Sequence, residues 1–216
     1  PVVLASTIHA FFWPLIQPFQ AVLRTLVPAL PKWNERLDEI GGIGTRRIEY
    51  DLGYPRAKKD EDHISLAHDD VVSLAAQLLG YGKFLDLFES RFPILLVDEY
   101  QDTDARLAEA IKQNVLDKKR KLLVGFFGDH WQKIYGDGCG SIEHANLMPI
   151  DKGANFRSVK TIVDVLNRMR PELQQHVRDA ASVVTVDGFH TNDWSGARRT
   201  GQHWGGDLQE VEARAA

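Results

Sequence analysis

Apolar positions along this chain cluster into runs and stripes with two different periods. The clearest is a run, Ile94-Leu95-Leu96-Val97, that ends in the carboxylates Asp98, Glu99 and Asp102. An unbroken apolar run of this kind predicts a strand buried on both faces. Residues 122–127 form a second run, which stops at Gly128-Asp129. Between the two, Thr103 or Asp104 caps a predicted helix that extends to about Leu116. Lys118, Lys119, Arg120 and Lys121 then form a basic turn at a strand edge. Strand, helix and strand in this order predict an α/β fold, mostly parallel, with helices on both faces of the sheet.

The segments before this unit are helical with interruptions. Residues 1–5 read as a short buried strand. Ser6 or Thr7 then caps a helix whose stripe is Ile8, Phe11, Phe12, Leu15 and Ile16. Pro14 and Pro18 are expected to bend or divide it. Residues 28–67 change character and read as a peripheral insertion. Two short strands, over 46–54 and 64–68, flank a charged turn at 56–62 that is expected to be a solvated hairpin tip. Asp69 or Asp70 caps the next helix, with Val71, Leu74, Ala75, Leu78 and Leu79 on one face. Gly80 and Gly82 break it, and Phe84, Leu85, Leu87 and Phe88 pack a further helix. After 150 the pattern predicts a helix over 159–169, ended by Pro171, and a strand over 182–186. Residues 187–216, rich in Gly, Arg, Asp and His, predict a loop or flexible tail.

Composition narrows the function classes. The 216 residues are 44% hydrophobic and 26% charged, as in a globular protein. The net charge of -4 supplies no global basic field, although a groove can still be locally basic. A single cysteine, Cys139, excludes an internal disulfide and fits a cytoplasmic setting. There is no apolar run of about 18 residues, so no membrane span is expected. The first residues, Pro1-Val2-Val3-Leu4, lack an initiator Met and suggest a trimmed or partial chain.

The chemistry concentrates in four clusters. They are Thr7-Ile8-His9-Ala10-Phe11, Asp98-Glu99-Tyr100-Gln101-Asp102, Gly128-Asp129-His130-Trp131-Gln132-Lys133-Ile134-Tyr135 and Asn155-Phe156-Arg157-Ser158. Carboxylates at the carboxyl end of a parallel strand stand where such sheets bind ligands. There one carboxylate can hold Mg²⁺ while its neighbour positions a water. In this order the four clusters resemble motifs Ib, II, III and IV of the UvrD/Rep-type superfamily 1 helicases. Asp69-Asp70-Val71-Val72 is similar to the family's segment ahead of motif II.

The resemblance implies a RecA-like P-loop NTPase core. Residues 1–20 with 91–150 would form an incomplete domain 1A, 21–90 an inserted 1B-like subdomain, and 151–216 the start of domain 2A. It also implies ATP and Mg²⁺ as cofactors, with Asp98 and Glu99 at the metal. Asp98, Glu99, Gln132 and Arg157 would be catalytic, Arg157 as an arginine finger worth about 10³–10⁵ in rate. Gln101 and Asp129 would complete the nucleotide set, with Gln101 and Asp102 tying the acidic loop to motif III. Thr7, His9, Trp131 and Tyr135 would meet single-stranded DNA or a duplex junction, Tyr135 by stacking on a base. For His9, Trp131 and Tyr135 a packing role is the alternative. Protein partners in repair or defence are possible for this family.

Two departures stand out. After Tyr135 the family often has an aromatic-Arg-Gly segment, whereas this chain reads Gly136-Asp137-Gly138-Cys139. No Gly-x-x-x-x-Gly-Lys-Ser/Thr phosphate loop occurs, and Gly82-Lys83-Phe84 lacks its spacing. Motifs V and VI are missing as well. The expectation is therefore the middle piece of a longer 3′–5′ helicase, inactive as ATPase by itself. A non-catalytic DNA- or partner-binding module is the alternative.

Overall fold

The computed structural model describes residues 3–51 and 54–177. Two compact units divide the chain, Pro1–Met148 and Pro149–Ala216. The strand expected over 182–186 and the tail beyond it lie outside the described residues.

The first unit begins with helix α1, Ile8–Ile16. Thr7 caps it, its hydroxyl accepting from the Ala10 N–H at 3.4 Å. Phe12 and Ile16 are buried, and Ile8, Phe11 and Leu15 pack at the rim of the same core. Pro14 sits inside α1, which ends two residues later, and α2, Gln20–Leu26, follows Pro18. Among the described residues, 3–5 pair with no strand; Val3 is 87% exposed and Leu4 59%. The expected buried strand is therefore not formed over 3–5: an extended segment with no ladder partner cannot bury its backbone groups.

A helix absent from the sequence reading follows, α3 at Trp33–Glu39, with Trp33 and Leu37 buried on one side. Strands β1 (Arg47–Tyr50), β2 (Arg56–Ala57) and β3 (His63–Leu66) form a sheet in the order β1-β3-β2. β1 and β3 are parallel, and β2 pairs antiparallel to β3. A tight turn cannot join parallel strands, so the chain returns through β2. The expected turn at 56–62 is corrected: Arg56–Ala57 are strand β2, and only 58–62 form a hairpin tip, between β2 and β3. Arg46 ties that tip down, donating to the carbonyls of Glu61, Lys59 and Gly42. Ile48, Ile64 and Leu66 are fully buried in the core that also contains Phe12, Leu74 and Phe88.

Helix α4, His68–Leu78, is capped from within. Its Asp70 carboxylate accepts from the Ala67 N–H at 2.9 Å, so the cap residue is Ala67 and not Asp69 or Asp70. Helix α5, Gly82–Arg91, buries Phe84, Leu85 and Phe88 but leaves Leu87 53% exposed. No single helix among the described residues is long and apolar enough to cross a membrane.

Strands β4 (Ile94–Val97) and β5 (Leu123–Phe126) pair in parallel, with Ile94 opposite Leu123 and Val97 opposite Phe126. Helix α6, Ala105–Ile111, capped by Asp104, joins them and continues as a wider turn over Lys112–Leu116. Arg120, in the basic turn, pairs with Asp86 and Glu89 of α5. Leu95, Val124 and Phe126 face the core. Ile94, Leu96 and Leu123 are 55%, 63% and 62% exposed. The expectation of burial on both faces is corrected here: alternate residues of a strand point to opposite sides, and the described residues cover only one side of this pair.

In the second unit, β6 (Ala154–Asn155) pairs in parallel with β7 (His176–Val177), and α7, Lys160–Met169, lies between them in sequence.

Candidate functional site

Because β4 and β5 are adjacent and parallel, their carboxyl ends open side by side. Asp98 and Glu99 leave β4, and Gly128 and Asp129 follow β5. Backbone bonds lock the two exits together: Phe127 N–H donates to the Val97 carbonyl at 2.8 Å, and Tyr100 N–H to the Phe127 carbonyl at 3.1 Å. Glu99 is held at φ 46°, ψ 45°. For a non-glycine residue this left-handed conformation costs about 1–3 kcal/mol and persists only where the surroundings enforce it.

Gln101 enforces it from below. It is 1% exposed and donates from Nε2 to Glu99 Oε2 at 2.8 Å. Its Oε1 accepts from the Asp129 N–H at 3.2 Å. Asp129 in turn caps a 3₁₀ turn, His130–Gln132, accepting from the Trp131 N–H at 3.1 Å. The Gln132 amide donates to Asp129 Oδ2 at 3.2 Å. Asp102 Oδ1 accepts from the N–H groups of Ile134 and Tyr135. The sequence-expected residues 98, 99, 101, 102, 129 and 132 thus stand in one hydrogen-bonded loop pair. Trp131, Ile134 and Tyr135 project from it, 63%, 77% and 60% exposed.

A strap unforeseen in the sequence crosses behind this loop. Ala105 N–H donates to the Asp137 carbonyl, Cys139 N–H to that of Thr103, and Gly140 N–H to that of Gln101. The Cys139 thiol donates to the Tyr100 carbonyl at 3.0 Å. Burial pushes that thiol up, and burial likewise raises the Tyr100 hydroxyl. Gly138 was the available signal, since a Cβ there would stand 2.5 Å from the Gln101 carbonyl and a backbone this close to another favours glycine.

The chemistry available is that of two exposed carboxylates, Asp98 and Glu99. Among the described residues no group of three or more His, Cys, Asp or Glu gathers to hold a metal. One or two carboxylates suit Mg²⁺, which keeps water and phosphate oxygens as its other ligands. The donor set therefore fits Mg²⁺ bound together with a nucleotide. A groove of about 590 Å³ beside α4 and α6 includes Ser73, Gln77, Arg106 and Glu109 and none of these loop residues.

The remaining expected residues belong to other elements. Thr7 and His9 open α1, and the His9 ring is 4.4 Å from that of His68 at the start of α4. Tyr50 hydrogen-bonds His68. Burial lowers the His9 pKa, the His68 charge lowers it further, and Asp69 opposes both. Arg157 belongs to the second unit. It is exposed, its N–H donating to Asn155 Oδ1 at 2.9 Å in a turn that also engages Ser158.

The profile of the UvrD/REP helicase N-terminal domain matches residues 36–147, just over half of the chain. This chain belongs to the UvrD/Rep helicase family. Its matched segment contains the whole loop pair, from Asp98 to Tyr135, whereas Thr7, His9 and Arg157 fall outside it. The UvrD/Rep-type chain is also 31% identical over 134 residues to the Gabija protein GajB of Bacillus cereus (strain HuB5-5). That similarity covers 59% of this chain and 19% of the relative, so the chain spans about a fifth of that protein's length.

Proposed function

We propose that the protein to which this chain belongs is an ATP-dependent single-stranded-DNA translocase and helicase of UvrD/Rep type, moving 3′ to 5′. The observation that carries the reading is the side-by-side exit of Asp98-Glu99 and Asp129-Gln132 from two parallel strands, inside the matched segment. Asp98, with Glu99 beside it, holds Mg²⁺. Glu99 also orients or deprotonates the attacking water, and Gln132 senses the γ-phosphate through its amide. Arg157 is the arginine finger. ATP bound with Mg²⁺ supplies the phosphoryl group and its charge neutralisation.

Residues 1–20 and 91–150 belong to RecA-like domain 1A, 21–90 to a 1B-like subdomain, and those from 151 to domain 2A. The two RecA-like domains close and reopen in each cycle, and alternating grip advances the strand. Trp131 and Tyr135, with Thr7 and His9, contact the DNA. The phosphate loop comes from a further part of the same protein, which acts in the cytoplasm. The apolar face of β4 and β5 that the described residues leave open supports further elements packing on this sheet, because parallel sheets are covered on both faces. The relative's name makes a Gabija-type system the context we favour, with protein partners in repair or defence.

The test is ATP turnover by the full-length protein with and without single-stranded DNA. Turnover stimulated by DNA and abolished by Glu99→Gln is the expected result. Turnover indifferent to Glu99→Gln, or none at all, overturns the reading.

A further inference from the structure

We propose, building on the role of Glu99 given above, that Gln101 is a positioning residue that aims the Glu99 carboxylate and makes no contact with nucleotide. Burial and valence carry the point. The side chain is 1% exposed, and both ends of its amide are engaged, Nε2 by Glu99 and Oε1 by the Asp129 N–H. Its backbone carbonyl is engaged as well, accepting from the Gly140 N–H at 3.0 Å. At 1% exposure the amide presents no surface to a phosphate, and the donor and acceptor it uses point to Glu99 and Asp129.

The socket around it is built for this one side chain. A Cβ on Gly128 would stand 2.2 Å from Gln101 Oε1, and one on Gly138 would stand 2.5 Å from the Gln101 carbonyl oxygen. Glycine at 128 is what lets the amide fit, and glycine at 138 lets the strap approach the Gln101 main chain. The amide also has one permitted orientation. Turned over, its NH₂ would meet the Asp129 N–H and its oxygen would meet the Glu99 carboxylate. One buried amide therefore bridges the Glu99 carboxylate to the start of the motif III loop, beside the backbone bonds that join the two exits. Any shift of Gly128-Asp129 moves the Glu99 carboxylate with it.

The experiment uses the full-length protein and measures kcat and KM for ATP in Gln101→Met, Gln101→Glu, Gly128→Ala and the Gln101→Met/Gly128→Ala double variant. Gln101→Met keeps the length and loses both hydrogen bonds. It is expected to lower kcat by about 10²-fold, the cost of a misplaced catalytic group. KM for ATP should stay within about twofold, since binding is untouched. Gly128→Ala displaces the same amide, so the double variant should lose no more than the worse single variant. Gln101→Glu should recover activity as pH falls, because the protonated acid again donates to Glu99. That pH profile is the readout a merely structural role would not produce. If Gln101→Met does not fold, Gln101→Glu across pH decides alone.

A KM raised tenfold or more at unchanged kcat overturns the proposal, as do multiplicative losses in the double variant. A Gln101→Glu pH profile parallel to the wild type overturns it too. Wild-type protein without ATP turnover overturns the helicase reading itself, and this role for Gln101 with it. Wild-type turnover with any of the contrary variant results overturns the Gln101 role alone.

Discussion

Asp102 and Tyr135 are joined through one carboxylate oxygen: Asp102 Oδ1 accepts the Tyr135 N–H at 3.2 Å and the Ile134 N–H at 3.0 Å. The last residue of the acidic loop thereby fixes the backbone that presents the exposed Tyr135 ring. Removing that oxygen frees the ring without emptying the core. Asp102→Ala should weaken single-strand binding several-fold, with a stability loss of about 1 kcal/mol, since the freed N–H groups are exposed and regain water. Fluorescence anisotropy with a labelled thymidine oligomer, beside a thermal melt, checks both. Unchanged affinity would mean that Tyr135 needs no such support.

Tyr135 itself is 60% exposed and rests on the same loop. If it stacks on a base, Tyr135→Ala removes about 1–3 kcal/mol of binding, roughly 5- to 150-fold in affinity. Tyr135→Phe should retain most of it. Equal losses from both variants would point to the hydroxyl and away from stacking.

The His9 and His68 rings lie 4.4 Å apart, beside Tyr50 and Asp69, and the His9 pKa in the folded chain is below the ordinary 6.5. The unfolded chain then binds more protons than the folded one as pH falls through 6.5. Stability is therefore full above 6.5 and declines as pH drops from there towards the depressed folded value. Melting temperatures should fall between pH 7.5 and 5.5, and His9→Gln should flatten that slope. A slope unchanged in His9→Gln would assign it to other groups.

Leu96 is 63% exposed, on the side of β4 that the described residues leave open. In this chain alone Leu96→Lys should be near neutral for stability and reduce self-association, measured by light scattering. In the full-length protein the same change should destabilise by about 2–4 kcal/mol if further elements cover that face. Equal tolerance in both would show that the face stays open.

Much of the first unit was legible in order and type. The Ile94–Val97 and 122–127 runs became the parallel pair, and the stripe from Ile8 to Ile16 became α1 under its Thr7 cap. What escaped was set by tertiary partners. Trp33, Leu37 and Ile40 have helical spacing, but the stretch lies between Pro28, Pro31 and the glycines at 41 and 42 and drew no helix expectation. The parallel pairing of β1 with β3 depends on the brief detour through β2, which two residues barely announce. At the site, the carboxylates and Gln132 were visible as residue types. The Gln101 socket was not, because its walls are glycines 27 and 37 positions away, at 128 and 138.

The strap over residues 137–140 fastens the acidic loop by main-chain bonds to the carbonyls of Gln101 and Thr103 and from the N–H of Ala105. Such fastening is blind to most side chains and sensitive to chain length. Drift in amino-acid identity at Tyr100, Thr103 or Asp137 leaves these bonds in place. Insertion or deletion of one residue between 105 and 137 threatens all of them, unless a loop on the way absorbs the change. Through this stretch, spacing is the inherited quantity.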